Sequence, residues 1–184
     1  MADLAGRKSI YYTFTGPIDS AAASRIAAAM NHASNEAYDH VYMAFSSLGG
    51  YVADGIFLYN LIRGISCDVT IHNIGSVCSI ASVIYAAADE RLCSQHGIFM
   101  VHPTALPISD SMNVERLQAS LDATLADDRR TESILRERTS IPDNILAART
   151  VKDVHISPQD AVKFDLAHRV CELQLPRGVQ IIQI

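Results

Sequence analysis

The 184-residue chain has four cysteines, Cys67, Cys78, Cys93 and Cys171, with no CxxC pair and no close ladder of histidines and cysteines. That spacing signals neither a zinc site nor a disulfide framework, so reduced and mostly buried thiols are expected. A long apolar run is also missing. The longest weakly polar stretch, Val77 to Ala88, is interrupted by Ser79 and Ser82, whereas a membrane-spanning helix takes about 20 apolar residues. Met1 to Lys8 carries Asp3, Arg7 and Lys8 where a secretory signal would have its apolar centre, so a cytoplasmic protein without a membrane segment is expected. Basic clusters are absent too: 15 Lys+Arg against 20 Asp+Glu leave a formal charge of −5. This argues against nucleic acid and against an anionic membrane surface as partners. With 49% hydrophobic residues, the length suits one domain, 1–184, whose core needs neither disulfide nor structural metal.

What is present alternates. Ser9 to Thr15, Val41 to Phe45 and Asp68 to Ile74 are β-branched and aromatic and read as strands. Between them, Ser20 to about Asn35 is alanine-rich with Ile26 and Met30 at helical spacing. Val52 to Ile62 gathers Val52, Ile56, Leu58 and Tyr59 on one side. Strand, helix, strand, helix, strand predicts an α/β protein of repeated β-α-β units, with right-handed crossovers and helices covering the sheet. A third helix is expected over Ser79 to Ala88 and a strand over Ile98 to His102. An extended arm at about 104–112 leads to a long helix at about 113–138, whose Leu117, Leu121, Leu125 and Ile134 form an apolar stripe. Ser157-Pro158-Gln159-Asp160 reads as a capped helix start. Asp165 is placed to end that helix in a left-handed conformation, and His168 to Leu173 reads as a closing strand.

Four places could carry chemistry. Ser79, in Gly75-Ser76-Val77-Cys78-Ser79-Ile80-Ala81, falls at a strand-to-helix junction, where unpaired backbone N–H groups surround a hydroxyl that could be a nucleophile. A helix-capping serine explains the same residue without chemistry. Ser46-Ser47-Leu48-Gly49-Gly50 follows a strand, and its glycine pair permits a sharp turn that exposes a backbone N–H. It is equally an ordinary strand-to-helix turn. His102, before Pro103 at a strand end, suits a general base on a rigid scaffold or a structural histidine. Asp153 alone reads as a surface carboxylate.

Taken together, Gly49-Gly50, Cys78-Ser79-Ile80, Val101-His102-Pro103 and Lys152-Asp153 ahead of Ser157 have an order and spacing that closely resemble the proteolytic subunit of the Clp protease, from about Ile10 to Val170. The resemblance implies a ClpP/crotonase-like fold and a serine endopeptidase. Ser79 would be its nucleophile, His102 the general base and then acid, and Asp153 the carboxylate that orients His102. The backbone N–H groups of Gly50 and Ile80 would form the oxyanion hole. It implies no metal or organic cofactor, and peptides or unfolded proteins as substrates. It further implies a self-compartmentalised homo-oligomer, a heptameric ring or a stacked double ring, and an AAA+ unfoldase as partner.

The pattern departs from the family at three places. Only about eight residues precede the first strand, where the family carries a segment that helps dock the unfoldase. The arm, glycine-rich in the family, reads Ala105-Leu106-Pro107-Ile108-Ser109-Asp110, and Pro107 removes a backbone donor. Lys152 stands where the family commonly has an arginine in a contact across the ring equator, and lysine lacks the bidentate fork. Two other readings stay open: a catalytically idle regulatory subunit of the same kind, and a crotonase-type acyl-CoA enzyme.

Overall fold

The computed structural model describes residues 6–105 and 112–184. The expected alternation is there: β1 (Ser9–Thr15), α1 (Ser20–Asn35), β2 (His40–Ser47), α2 (Val52–Gly64) and β3 (Asp68–Cys78). Then come α3 (Ala81–Ala86), β4 (Glu90–Cys93), β5 (Ile98–Val101), α4 (Val114–Arg138), α5 (Asp143–Ala148) and β6 (Val154–Ile156). The chain closes with α6 (Pro158–Lys163), β7 (Arg169–Val170) and β8 (Ile181–Gln183). One sheet runs β6-β5-β3-β2-β1-β8, with β4 and β7 branching from β3. Among the described residues, all strand pairings are parallel except the antiparallel β5–β6.

The capping residues act as their chemistry dictates. Asp19 accepts from Ala22 N at the start of α1, and Ser157 accepts from Asp160 N at the start of α6, with Pro158 in its first turn. Asp165 has φ 49°, the left-handed stop expected after Phe164. Its carbonyl, with that of Leu166, accepts from the buried Arg91 guanidinium.

Three expectations are corrected. Strand β3 runs on through Gly75 and Ser76 because side chains take its spare donors. Asn73 Oδ1 accepts from Gly75 N, and Ser46 Oγ from Ser76 N, at a register shift between Phe45 and Ser47. Helix α3 begins at Ala81, since Ser79 is not helical. The closing strand shrinks to Arg169–Val170, because β4 offers it only Leu92 and Cys93 as partners. On α4, Leu117, Leu121 and Leu125 are 42, 40 and 44% exposed, while Thr131 and Leu135 are buried. Only the C-terminal part of that helix packs on the core. The predicted arm lies mostly outside the described residues.

The main core lies between the sheet and its helices. A smaller cluster on the opposite face joins Tyr11, Tyr42 and Leu92 to Cys171, Leu175 and Val179 of the C-terminal segment. The cysteines are free, and burial pushes the Cys93 thiol up to about 12, which keeps it protonated and inert. Near the outer face sits a polar pair of histidines. His40 Nε2 and Thr70 Oγ1 share a hydrogen bond of 2.8 Å. His72 lies between Tyr42 OH (2.5 Å) and Ser94 Oγ (3.1 Å).

Burial lowers the pKa of both imidazoles, so the folded state holds them neutral while the unfolded chain binds their protons at the ordinary value. Their contribution is complete above that value, about 6.5, and is lost as pH falls below it. The urea midpoint should therefore drop between pH 7.5 and pH 5, and His72→Gln should flatten the drop. A midpoint constant across that range would contradict this account.

Candidate active site

The residue after β3 carries the strain. Ser79 has φ 56°, a conformation that costs a non-glycine residue about 1–3 kcal/mol and persists only when its surroundings fix it. They do so from three sides. Ser79 N donates to Met100 O at 2.7 Å, tying the serine to β5. Gly49 packs so closely that a Cβ there would lie 2.6 Å from Ser79 Cβ. Ile80 lies against Gly55 of α2, where a Cβ would meet Ile80 Cγ1 at 2.1 Å. The chain thus turns sharply from strand to helix and leaves Ser79 half-buried at the floor of a cleft.

The glycine pair forms the facing wall. Ile18 threads beside it, donating to Gly49 O at 2.9 Å and accepting from Tyr51 N at 2.8 Å. Gly49 N is taken up by Ser47 Oγ. Among the described residues, neither the Gly50 N–H nor the Ile80 N–H donates to a protein acceptor. Two unsatisfied donors beside one cleft are what a developing oxyanion or a bound carbonyl requires.

His102 follows β5 and reaches the same cleft, of about 740 Å³, which Ser79, Gly50 and Ile80 also line, together with Ser120, Thr124 and Thr131 of α4. Asp153 is exposed and lies outside that lining. It immediately precedes β6, whose Val154 pairs with Val101, so the antiparallel register sets Asp153 opposite His102. His102 enters the described hydrogen bonds through its carbonyl oxygen, which accepts from Arg149 Nη1 at 3.1 Å.

The fold and the cleft can be set beside known proteins. A family profile described as Clp protease matches residues 3–174. The chain belongs to the Clp protease family. It is 27% identical over 169 residues to the ATP-dependent Clp protease proteolytic subunit 2 of Pseudomonas aeruginosa, covering 88% of this chain and 83% of that one. It is 26% identical over 157 residues to the proteolytic subunit of Paracoccus denitrificans, covering 84% and 78%. With proteolytic subunit 1 of Chlamydia felis it shares 29% over 128 residues, 68% of this chain and 62% of that relative. A ClpP1 mutant from Listeria monocytogenes superposes with a TM-score of 0.76 at 18% identity, covering 91% and 92%. The ClpP/crotonase-like architecture expected from sequence is therefore the observed one.

Within this Clp protease fold, Ser79, His102, Gly50 and Ile80 meet in one cleft, while Asp153 stays outside its lining and is related to His102 by the strand register alone. Sequence reasoning missed the residues that hold them. Ile18 follows an unremarkable Gly16-Pro17 turn. Asn73, wholly buried, donates from Nδ2 to Ile98 O and so fixes the start of β5. Arg149 sits in a stretch with no motif. A buried partner drawn from a distant segment leaves no local pattern to find.

Proposed function

We propose that this chain is a serine endopeptidase subunit that hydrolyses peptide bonds by acyl transfer. Ser79 Oγ attacks the scissile carbonyl while His102 accepts its proton. The Gly50 and Ile80 N–H groups receive the oxyanion, and His102 then returns the proton to the leaving amine. Water repeats the sequence on the acyl-enzyme, and Asp153 orients His102 throughout. The observation that carries this reading is the pair of unsatisfied N–H groups beside a strained serine in a cleft that His102 also lines.

Members of the Clp protease family typically work as rings. The exposed Leu117, Leu121 and Leu125 on one helix face support a homo-oligomer that encloses the site. Unfolded chains are the substrates this reading implies, delivered by an ATP-dependent unfoldase. A second reading, an idle subunit, is favoured by one feature: the His102 ring takes part in none of the hydrogen bonds among the described residues. Catalytic hydrogen bonds commonly tighten only when substrate is bound, so reactivity separates the two readings.

Intact-mass labelling with a fluorophosphonate should add one phosphonyl group per chain, and Ser79→Ala and His102→Ala should both remove it. A wild-type protein that stays unlabelled would transfer the assignment to the idle subunit.

A further inference from the structure

The cleft contains a charged group that the reaction above does not use. Arg149 is 2% exposed, and a charge so buried is costly unless it is paired and hydrogen-bonded. Its Nη1 donates to His102 O at 3.1 Å and meets Asp128 Oδ1 at 3.5 Å. Its Nη2 donates to Asp128 O at 3.2 Å and lies 3.5 Å from Glu132 Oε2. Among the described residues its Nε has no partner, so the side chain is held where its two Nη groups can reach rather than where every donor is satisfied. Asp128 Oδ1 in turn accepts from Thr104 N and Thr104 Oγ1, both at 2.8 Å. His102 and Thr104 are therefore fastened to α4 from both sides of Pro103.

The position of Arg149 in the chain brings it near Asp153 as well. It caps α5, and the following turn is closed by Val151 N and Lys152 N, both donating to Ala148 O at 3.2 Å. Asp153 comes next. Arg149 thus grips His102 with its side chain, and the turn that follows it, closed on Ala148 O, leads to Asp153.

We propose that Arg149 is a positioning residue. Its guanidinium, fixed by Asp128 and Glu132 on α4, sets the place of His102 relative to Asp153 and Ser79. The proposal rests on the serine-peptidase reading for its catalytic consequence, though not for its geometry. A lysine would keep the charge and the aliphatic stem but present no planar fork to hold His102 O and Asp128 together. Misplacing a catalytic group by about 1 Å can cost 100-fold in rate.

The test uses the assembled full-length protein with two independent readouts. The first is kcat and KM on a fluorogenic peptide. The second is the rate at which diethyl pyrocarbonate modifies His102, followed by peptide mass mapping, with the exposed His32 and His96 as internal standards. In Arg149→Lys, kcat should fall at least tenfold with KM within threefold. The modification rate of His102 should change at least threefold against the standards. Asp128→Asn, which keeps an acceptor for Thr104 but removes the charge that holds Arg149, should show the same pattern to a smaller degree. It also serves if Arg149→Lys does not fold.

If both variants leave kcat and the His102 modification rate within twofold of wild type, the proposal is overturned. If His102 modification responds while the wild type neither cleaves peptide nor takes up fluorophosphonate, the positioning role stands and the peptidase reading fails.

Discussion

Ser79→Ala and His102→Ala should each lower kcat on a peptide substrate by about 10⁴-fold or more, and the double variant should be no slower than the worse single one. The reason is that the nucleophile and the base act as one device: without the hydroxyl there is no proton for His102 to take, and without His102 the hydroxyl stays a weak nucleophile. The residual rate above that in water would come from the N–H pair and from substrate binding, which neither substitution touches. A steady-state comparison of the three variants, with wild-type contamination excluded by fluorophosphonate titration, reads this directly. Losses that multiply in the double variant would mean that the two residues act in separate steps.

The second large effect belongs to a residue without a side chain. A Cβ on Gly50 would stand 2.1 Å from Ile18 O and under 3 Å from Ile18 C and N. These are backbone atoms, already committed to Gly49 and Tyr51, so they have no rotamer by which to give way. Gly50→Ala must push the glycine wall off Ile18 and turn the Gly50 N–H out of the cleft. Loss of one oxyanion donor costs about 10²–10³ in kcat, and that is the expected fall, with KM little changed. Gly64→Ala is the control, because among the described residues nothing lies within 4 Å of a Cβ there. A Gly50→Ala protein that retains kcat within threefold would remove Gly50 from the oxyanion site.

The sequence made the alternation legible, because buried parallel strands read as β-branched runs and covering helices as apolar faces. Glu90–Cys93, Val154–Ile156 and Ile181–Gln183 escaped for the opposite reason. Each has three or four residues and is a strand only because a long-range neighbour supplies its hydrogen bonds. The candidate residues Ser79, His102, Gly50 and Ile80 were legible through motif spacing, and the structure brings them to one cleft. The positive φ at Ser79 was not, because a serine at a strand end more often caps a helix than turns against its own Cβ. The leucines of α4 were legible as a stripe. Whether a stripe faces the chain's own core or the outside depends on where the helix stands in space, and periodicity does not record that.

Strand β3 has one more consequence. Among the described strands it alone pairs with three others, β2, β4 and β5. Thr70 to Asn73 ladder with β4, and Ser76 to Cys78 ladder with β5, so the two branches of the sheet share a single backbone. Neither branch completes its ladder before that strand is laid down, and its partners are brought together from as far apart as His40 and Val101. The entropy of closing those loops must be met before the ladders repay it. The strand that leads into Ser79 therefore ties the cleft to both branches of the sheet at once. A substitution that shifts β3 would be felt in both branches of the sheet and in the cleft together.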